Sequence, residues 1–179
     1  MGRDTAVKRA AAAALLWLLL AVPAGAAGPS IDVRVQKLSD AAEIRTLLHD
    51  YGRLLDARDL TAFSALFARD GEWVGGIGTA KGPEAIGAMM RKAFGNVPVG
   101  SNRANFHLLS NEIIAIDGDT ATAWSRWTFV AADAAGRPTM AMAGHYDDRL
   151  VREGGRWRFA RRVATTDIGA PPPPAAPAR

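Results

Sequence analysis

The stretch NFHLLSNEIIAIDGDTATAWSRWTFVAADAAGRPTMAMAGHYDDRLVREGGRWRFARR, residues 105–162, decides the fold, because it runs at a period of two with hardly a helical interruption. Residues 107–116, 121–132, 139–152 and 156–166 form four strand-like segments. Between them stand Asp117-Gly118-Asp119, a turn over 133–138 and Glu153-Gly154-Gly155. Glycine-containing turns at that spacing join consecutive antiparallel strands, so the stretch predicts a meander. Residues 72–74 are a candidate extra edge strand.

Upstream the period changes. Asp40 with Glu43 in its capping-box register announces a first helix, in which Ile44, Leu47, Leu48, Tyr51, Leu54 and Leu55 recur at helical spacing. Asp59 caps a short second helix over 60–67, whose apolar stripe is Leu60, Phe63, Leu66 and Phe67, before Asp70-Gly71 turns the chain. Pro83 after Gly82 opens a third helix that runs to about Phe94. Helices first and strands later predict an α+β domain, a curved sheet wrapped over helices rather than a parallel nucleotide-binding fold. The scattered glycines match neither the dinucleotide fingerprint nor the P-loop, and no cofactor is assigned.

The ends read differently from the middle. Arg3, Lys8 and Arg9 precede an apolar run over 10–22, too short to span a bilayer comfortably, and Ala24-Gly25-Ala26 supplies the small residues a signal peptidase needs. Residues 1–26 are therefore expected to be an export signal cut before Ala27, leaving a periplasmic or extracellular protein with no stable membrane insertion. A membrane anchor is the competing reading. Residues 170–179 form a Pro/Ala tail that cannot bury a core and is expected to be disordered. What remains, 32–168, has the size of one domain.

The formal charge of +4 falls to about +2 once the signal, with its three basic residues and Asp4, is removed. No basic block is interleaved with aromatics, so nucleic acid is not an expected partner. The chain has no cysteine, which excludes disulfides and thiolate chemistry, and its three histidines lack ligand spacing, so no metal site is assigned.

The ordered set Glu43-Ile44-Arg45, Tyr51-Gly52-Arg53-Leu54-Leu55-Asp56-Ala57-Arg58-Asp59, Leu66-Phe67-Ala68-Arg69-Asp70-Gly71, Gly82-Pro83-Glu84-Ala85-Ile86, His107, Asp117-Gly118-Asp119-Thr120-Ala121, Gly144-His145-Tyr146-Asp147-Asp148 and Gly155-Arg156-Trp157-Arg158-Phe159 resembles the SnoaL-like group. That group belongs to the nuclear transport factor two-like superfamily, with scytalone dehydratase, ketosteroid isomerase, limonene epoxide hydrolase and the dehydrochlorinase of lindane breakdown. The resemblance implies a cone-shaped α+β barrel, three N-terminal helices closing one side of a strongly curved, mostly antiparallel sheet around a deep apolar pocket. It also implies a homodimer or higher homo-oligomer, and an Asp and a His as the proton-transfer pair. Those positions match Asp56 and His107. The second histidine of scytalone dehydratase has no counterpart here, since His145 sits elsewhere in the pattern and has the opposite strand parity to Gly144 and Tyr146.

On the helical period alone, Asp56 lies more than about 100° from the centre of the Ile44, Leu48, Tyr51 and Leu55 stripe. It is then either a solvated helix-end acid or, as the resemblance implies, a pocket base. His107 is either a bonded core histidine or the proton carrier, with Phe106, Leu108 and Leu109 supplying apolar surroundings. His49 reads as a surface residue. Tyr51, Trp73, Trp127, Met142 and Tyr146 are the candidate binding residues, with Trp124 and Met140 as further aromatic and apolar candidates. Met140, Met142, Gly144, Tyr146 and Asp148 share one strand parity; Ala123, Ser125, Trp127 and Phe129 share one on the preceding strand. Arg161, in parity with Trp157 and Phe159, either binds an anionic or leaving group or pairs with Asp148. Two functions stay open: a cofactor-independent lyase or isomerase on a small hydrophobic molecule, or a noncatalytic ligand-binding or dimerisation domain. Asp56 and His107 meeting beside an open pocket would favour the first, a filled pocket the second.

Overall fold

The structure is a computed structural model and describes residues 28–95 and 97–169. The expected export signal and Pro/Ala tail lie outside the described residues.

Helix α1 (Ile31–Asp56) begins well before the Asp40 capping box, with Ser30 as its N-cap accepting from the Val33 amide. Asp40 is instead a buried helix-interior acid that takes Arg152 Nη2 at 2.5 Å and Gln36 at 3.0 Å, while Glu43 accepts the Trp157 backbone N–H at 2.9 Å. The acids that imitate a cap are anchoring the helix to the far hairpin. The first turns hide from a periodicity argument because Ile31, Val33, Val35 and Leu38 are all exposed. Helix α2 (Leu60–Ser64) is capped by Asp59, as read, but is shorter than expected. Helix α3 (Pro83–Phe94) starts at the proline and ends at Phe94, as expected, with Gly95 as its C-cap.

Six strands follow or interleave: β1 (Phe67–Gly75), β2 (Gly78–Lys81), β3 (Asn105–Asp117), β4 (Thr120–Ala132), β5 (Pro138–Glu153) and β6 (Arg156–Ile168). They form one sheet in the order β2-β1-β6-β5-β4-β3. The predicted meander is β3 to β6. Strand β1 is not an edge: it pairs parallel with β6 and is itself covered by β2. Asp70-Gly71 is not a turn either. It lies inside β1, in the irregular stretch where the pairing moves from Phe67↔Phe159 to Glu72↔Arg161, and a Cβ on Gly71 would come within 2.6 Å of the Phe159 carbonyl. A bulge and a turn share the same Asp-Gly signature.

The helices pack on one face of this sheet. Tyr51, Phe63, Phe67 and Phe159 form a closed set of tilted ring contacts, with centroids 4.9–5.9 Å apart, around which Ile44, Leu48, Leu150 and Trp157 are buried. Edge and tilted aromatic pairs add to area burial, so this is the rigid floor on which the open end of the cone stands. Two single-residue bulges then change which side chains face inward. Ala141 is extra between the pairs Phe129↔Met142 and Val130↔Met140, and Ala160 is extra between Leu150↔Phe159 and Arg149↔Arg161.

Candidate active site

The last turn of α1 points Tyr51 and Leu55 into the sheet, and the helix stops at once. Arg58 adopts a left-handed backbone, φ 61°, its guanidinium caps the Leu55 carbonyl at 2.7 Å, and its other nitrogen reaches Asn105 Oδ1 at 2.9 Å. Asn102 Nδ2 donates to the Asp56 carbonyl at 2.9 Å and to the Asn105 carbonyl at 3.0 Å. These bonds hold the start of β3 against the end of α1. They bring together two residues 51 positions apart: Asp56 Oδ2 accepts the His107 backbone N–H at 2.8 Å, and Oδ1 lies 2.6 Å from His107 Nδ1.

A carboxylate only accepts, so facing one assigns the donor role to Nδ1 and leaves Nε2 as the nitrogen that carries the lone pair whenever the ring has a single proton. The ring packs on Phe129, centroids 4.9 Å apart. Phe106 and Leu108, expected to supply its apolar surroundings, are exposed on the other face, as strand alternation demands.

Beside His107 lies a cavity of about 200 Å³. Tyr51, Trp73, Trp127, Met142 and Tyr146 all line it, together with Leu55, Met90, Phe94 and Phe129. The α3 residues Met90 and Phe94 were not anticipated, although their one-turn spacing after Ile86 was the available signal. Trp124 and Met140 are elsewhere: Trp124 stacks on His145 on the outer face, and the Ala141 bulge turns Met140 outward to 72% exposure. His145 sits between Asp167 and Asp147 outside the cavity, and His49 pairs with Glu112 at the surface.

Arg161 is not a binding residue of this cavity. Its Nε donates to Glu72 at 2.7 Å, because the Ala160 bulge sends it outward and swings Arg162 in. Arg162, missed in the sequence, is fully buried and grips Asp148 through two bonds of 2.7 and 2.6 Å. Burial alone would push its guanidinium down, but the Asp148 carboxylate more than offsets this and holds it above its ordinary range, while burial pushes the Asp148 carboxyl up and Arg162 offsets only part of that. The same guanidinium lies 4.0 Å from the ring centroids of both Tyr51 and Tyr146. Burial drives the Tyr146 hydroxyl well up and the Tyr51 hydroxyl up as well, so both remain protonated donors. Tyr51 also accepts from Trp73 Nε1 at 2.8 Å, which leaves its own proton to give.

Among the described residues no group of three or more His, Asp or Glu could hold a metal ion, and no helix is long and apolar enough to cross a membrane. The arrangement offers one oriented imidazole, two neutral phenols and an aromatic enclosure: the parts for moving a proton on an apolar molecule.

Comparison with known proteins gives the family and the fold. Residues 36–163 match the SnoaL-like domain. The chain is 32% identical over 136 residues to the uncharacterized protein Rv2910c of Mycobacterium tuberculosis, covering 73% of this chain and 88% of that one. Among solved structures, it is similar to an NTF2-like protein with a cystatin-like fold from Novosphingobium aromaticivorans, with 29% identity, a TM-score of 0.66 and coverage of 78% and 89% of the two chains. It also shares its fold with a type 2 hexachlorocyclohexane dehydrochlorinase, LinA, at 20% identity and a TM-score of 0.62, over 75% of this chain and 89% of that one.

Proposed function

The chain belongs to the SnoaL-like family, and from that premise we propose that it is a cofactor-independent lyase or isomerase acting on a small hydrophobic molecule. The observation that carries this reading is the 2.6 Å contact of His107 Nδ1 with Asp56 beside an open cavity. A filled cavity would have favoured a purely structural role.

In the proposed cycle His107 Nε2 removes a proton from a ligand carbon, and Asp56 stabilises the resulting imidazolium. The C–H bonding electrons form a new double bond. In a lyase reaction the leaving group departs with its own bonding pair; when it is hydroxyl, the imidazolium returns the proton to it and water leaves. In an isomerisation the proton goes back to a different carbon. Tyr51 and Tyr146 donate to a ligand oxygen on which negative charge develops, a contribution that grows in a site without bulk water.

Export through residues 1–26 belongs to the same proposal, as does self-association through the outer sheet face, where Phe106, Leu108, Ile113 and Met140 are exposed. A monomer in sedimentation at tens of micromolar would remove the second element.

The test is deuterium incorporation and alkene formation from cyclic β-hydroxy and β-halo ketones in heavy water, followed by NMR. Wild-type protein should exchange or eliminate, and His107→Ala should not. Binding of such compounds without exchange by wild type would replace this reading with the noncatalytic one.

A further inference from the structure

The cavity also limits what can enter it. Its walls carry no Lys, Arg, Asp or Glu. The charges nearest to it are already paired: both Asp56 oxygens to His107, and Arg162 to Asp148 through Nε and Nη2, while its remaining Nη1, buried without a partner, is not part of the cavity wall. A ligand carboxylate placed there would lose its hydration and find no counter-charge, a cost of several kcal/mol per ion. A ligand cation fares no better in spite of the aromatic walls. The rings of Tyr51 and Tyr146 already face the Arg162 guanidinium at 4.0 Å, so the attraction they could offer a second cation is opposed by the first.

Size follows from volume. An apolar cavity of roughly 150 Å³ holds one benzene. By that scale the 200 Å³ here holds about eight non-hydrogen atoms, one ring with a short substituent. Phe94 at the end of α3 and Met142 on β5 are bulky, half-buried wall residues, so truncating either is the direct way to make room for a second ring. The polar side chains of the wall are His107, the phenols of Tyr51 and Tyr146, the Thr166 hydroxyl, and the indoles of Trp73 and Trp127, which already donate to Tyr51 and to the His145 carbonyl; so few polar groups suit a ligand with few oxygen functions beside an acidic C–H.

We propose that the site takes uncharged single-ring molecules bearing a carbonyl or hydroxyl oxygen, and that Phe94 and Met142 set the size limit. This rests on the cavity being the working site proposed above, but it concerns binding and does not require turnover.

The experiment titrates the wild-type protein with acetophenone, its anionic counterpart benzoate, benzyltrimethylammonium, and the two-ring 2-acetonaphthone. Tryptophan fluorescence reports the cavity through Trp73 and Trp127, and the His107 imidazole signals in NMR report the location. Acetophenone should bind at least ten-fold more tightly than each of the other three and should shift the His107 signals. Phe94→Ala, or Met142→Ala if the former melts early, should bring 2-acetonaphthone to within about three-fold of acetophenone; Leu38→Ala, exposed on α1 outside the cavity, should not. Benzoate, the ammonium or 2-acetonaphthone binding wild type within three-fold of acetophenone would overturn the proposal, as would binding that leaves His107 unmoved or no binding up to the solubility limit. If acetophenone binds as expected and no compound of the series is exchanged or eliminated, the ligand class stands and the lyase reading falls.

Discussion

Asp56 spends both carboxylate oxygens on a single residue, taking the backbone N–H of His107 at 2.8 Å and facing its ring Nδ1 at 2.6 Å. The helix end therefore fixes the strand position and the ring tautomer together, so a loss at either residue removes the same function. Asp56→Asn and His107→Ala should each lower turnover by a factor on the order of 100 to 10,000, and the double variant should lose little more. Asp59→Asn, which alters only the cap of α2, should cost at most about 1 kcal/mol of stability and spare activity. Steady-state kinetics on all four proteins decide it, and an active His107→Ala would end the dyad reading.

Asp148 and Arg162 form the deepest ion pair in the molecule, with neither side chain exposed. Asp148→Ala strands a buried cation under the tyrosines and should lower stability by about 3–5 kcal/mol, measured by urea unfolding. Replacing the pair together by Leu and Met should recover most of that loss. Equal destabilisation of the single and double variants would mean that the pair is packing, not charge compensation.

Asp40 supplies the pH dependence. Burial alone would raise its carboxyl, but hydrogen bonds from Arg152, Gln36 and Trp157 together outweigh this and bring it below the ordinary aspartate value of 3.8. A folded-state value below the unfolded one stabilises the protein at pH above the unfolded value, and that contribution is lost as pH falls through the folded value. Urea midpoints should therefore drop between pH 5 and about pH 2–3 more steeply in wild type than in Asp40→Asn. Parallel acid limbs in the two proteins would remove Asp40 from the account.

Gly144 has room for nothing but hydrogen: a Cβ there would come within 1.9 Å of the Thr165 carbonyl and 2.6 Å of the Trp127 indole. Gly144→Ala should destabilise by about 1–3 kcal/mol and shift the Trp127 emission as the ring is driven off its seat. Unchanged emission and stability would show that β5 yields locally instead.

N-terminal sequencing of exported material should find Ala27 at or next to the first residue. Recovery of Met1 in a membrane fraction would identify the segment as an anchor.

Much of this architecture could be read in the chain because period and punctuation agree along β3 to β6 and along the inward stripe of α1. The failures have local physical causes. Asp40-Ala41-Ala42-Glu43 carries the pattern of a cap in the middle of a helix because its acids serve Arg152 and Trp157 on another hairpin. Strand parity counted straight through Ala160 points Arg161 inward, but one unpaired residue there exchanges the two faces and brings Arg162 in instead. Met140 was misplaced by the same arithmetic at Ala141. The Asp56–His107 contact could not come from helical angle at all: it depends on the left-handed turn at Arg58 and on Asn102 and Asn105 drawing a distant strand to the helix end.

Trp127 rests against Gly144 and Trp73 against Gly75, each indole within 2.6 Å of where a Cβ would stand. For a lineage drifting toward a new ligand, these walls are closed to small steps: any mutation at either glycine adds bulk beneath an indole and spoils the fold before it reshapes the chamber. Divergence is channelled to wall residues such as Phe94 and Met142, where a smaller apolar side chain enlarges the chamber. Ligand preference among descendants should thus track α3 and the far end of β5, while the two tryptophan–glycine pairs persist as an inherited frame.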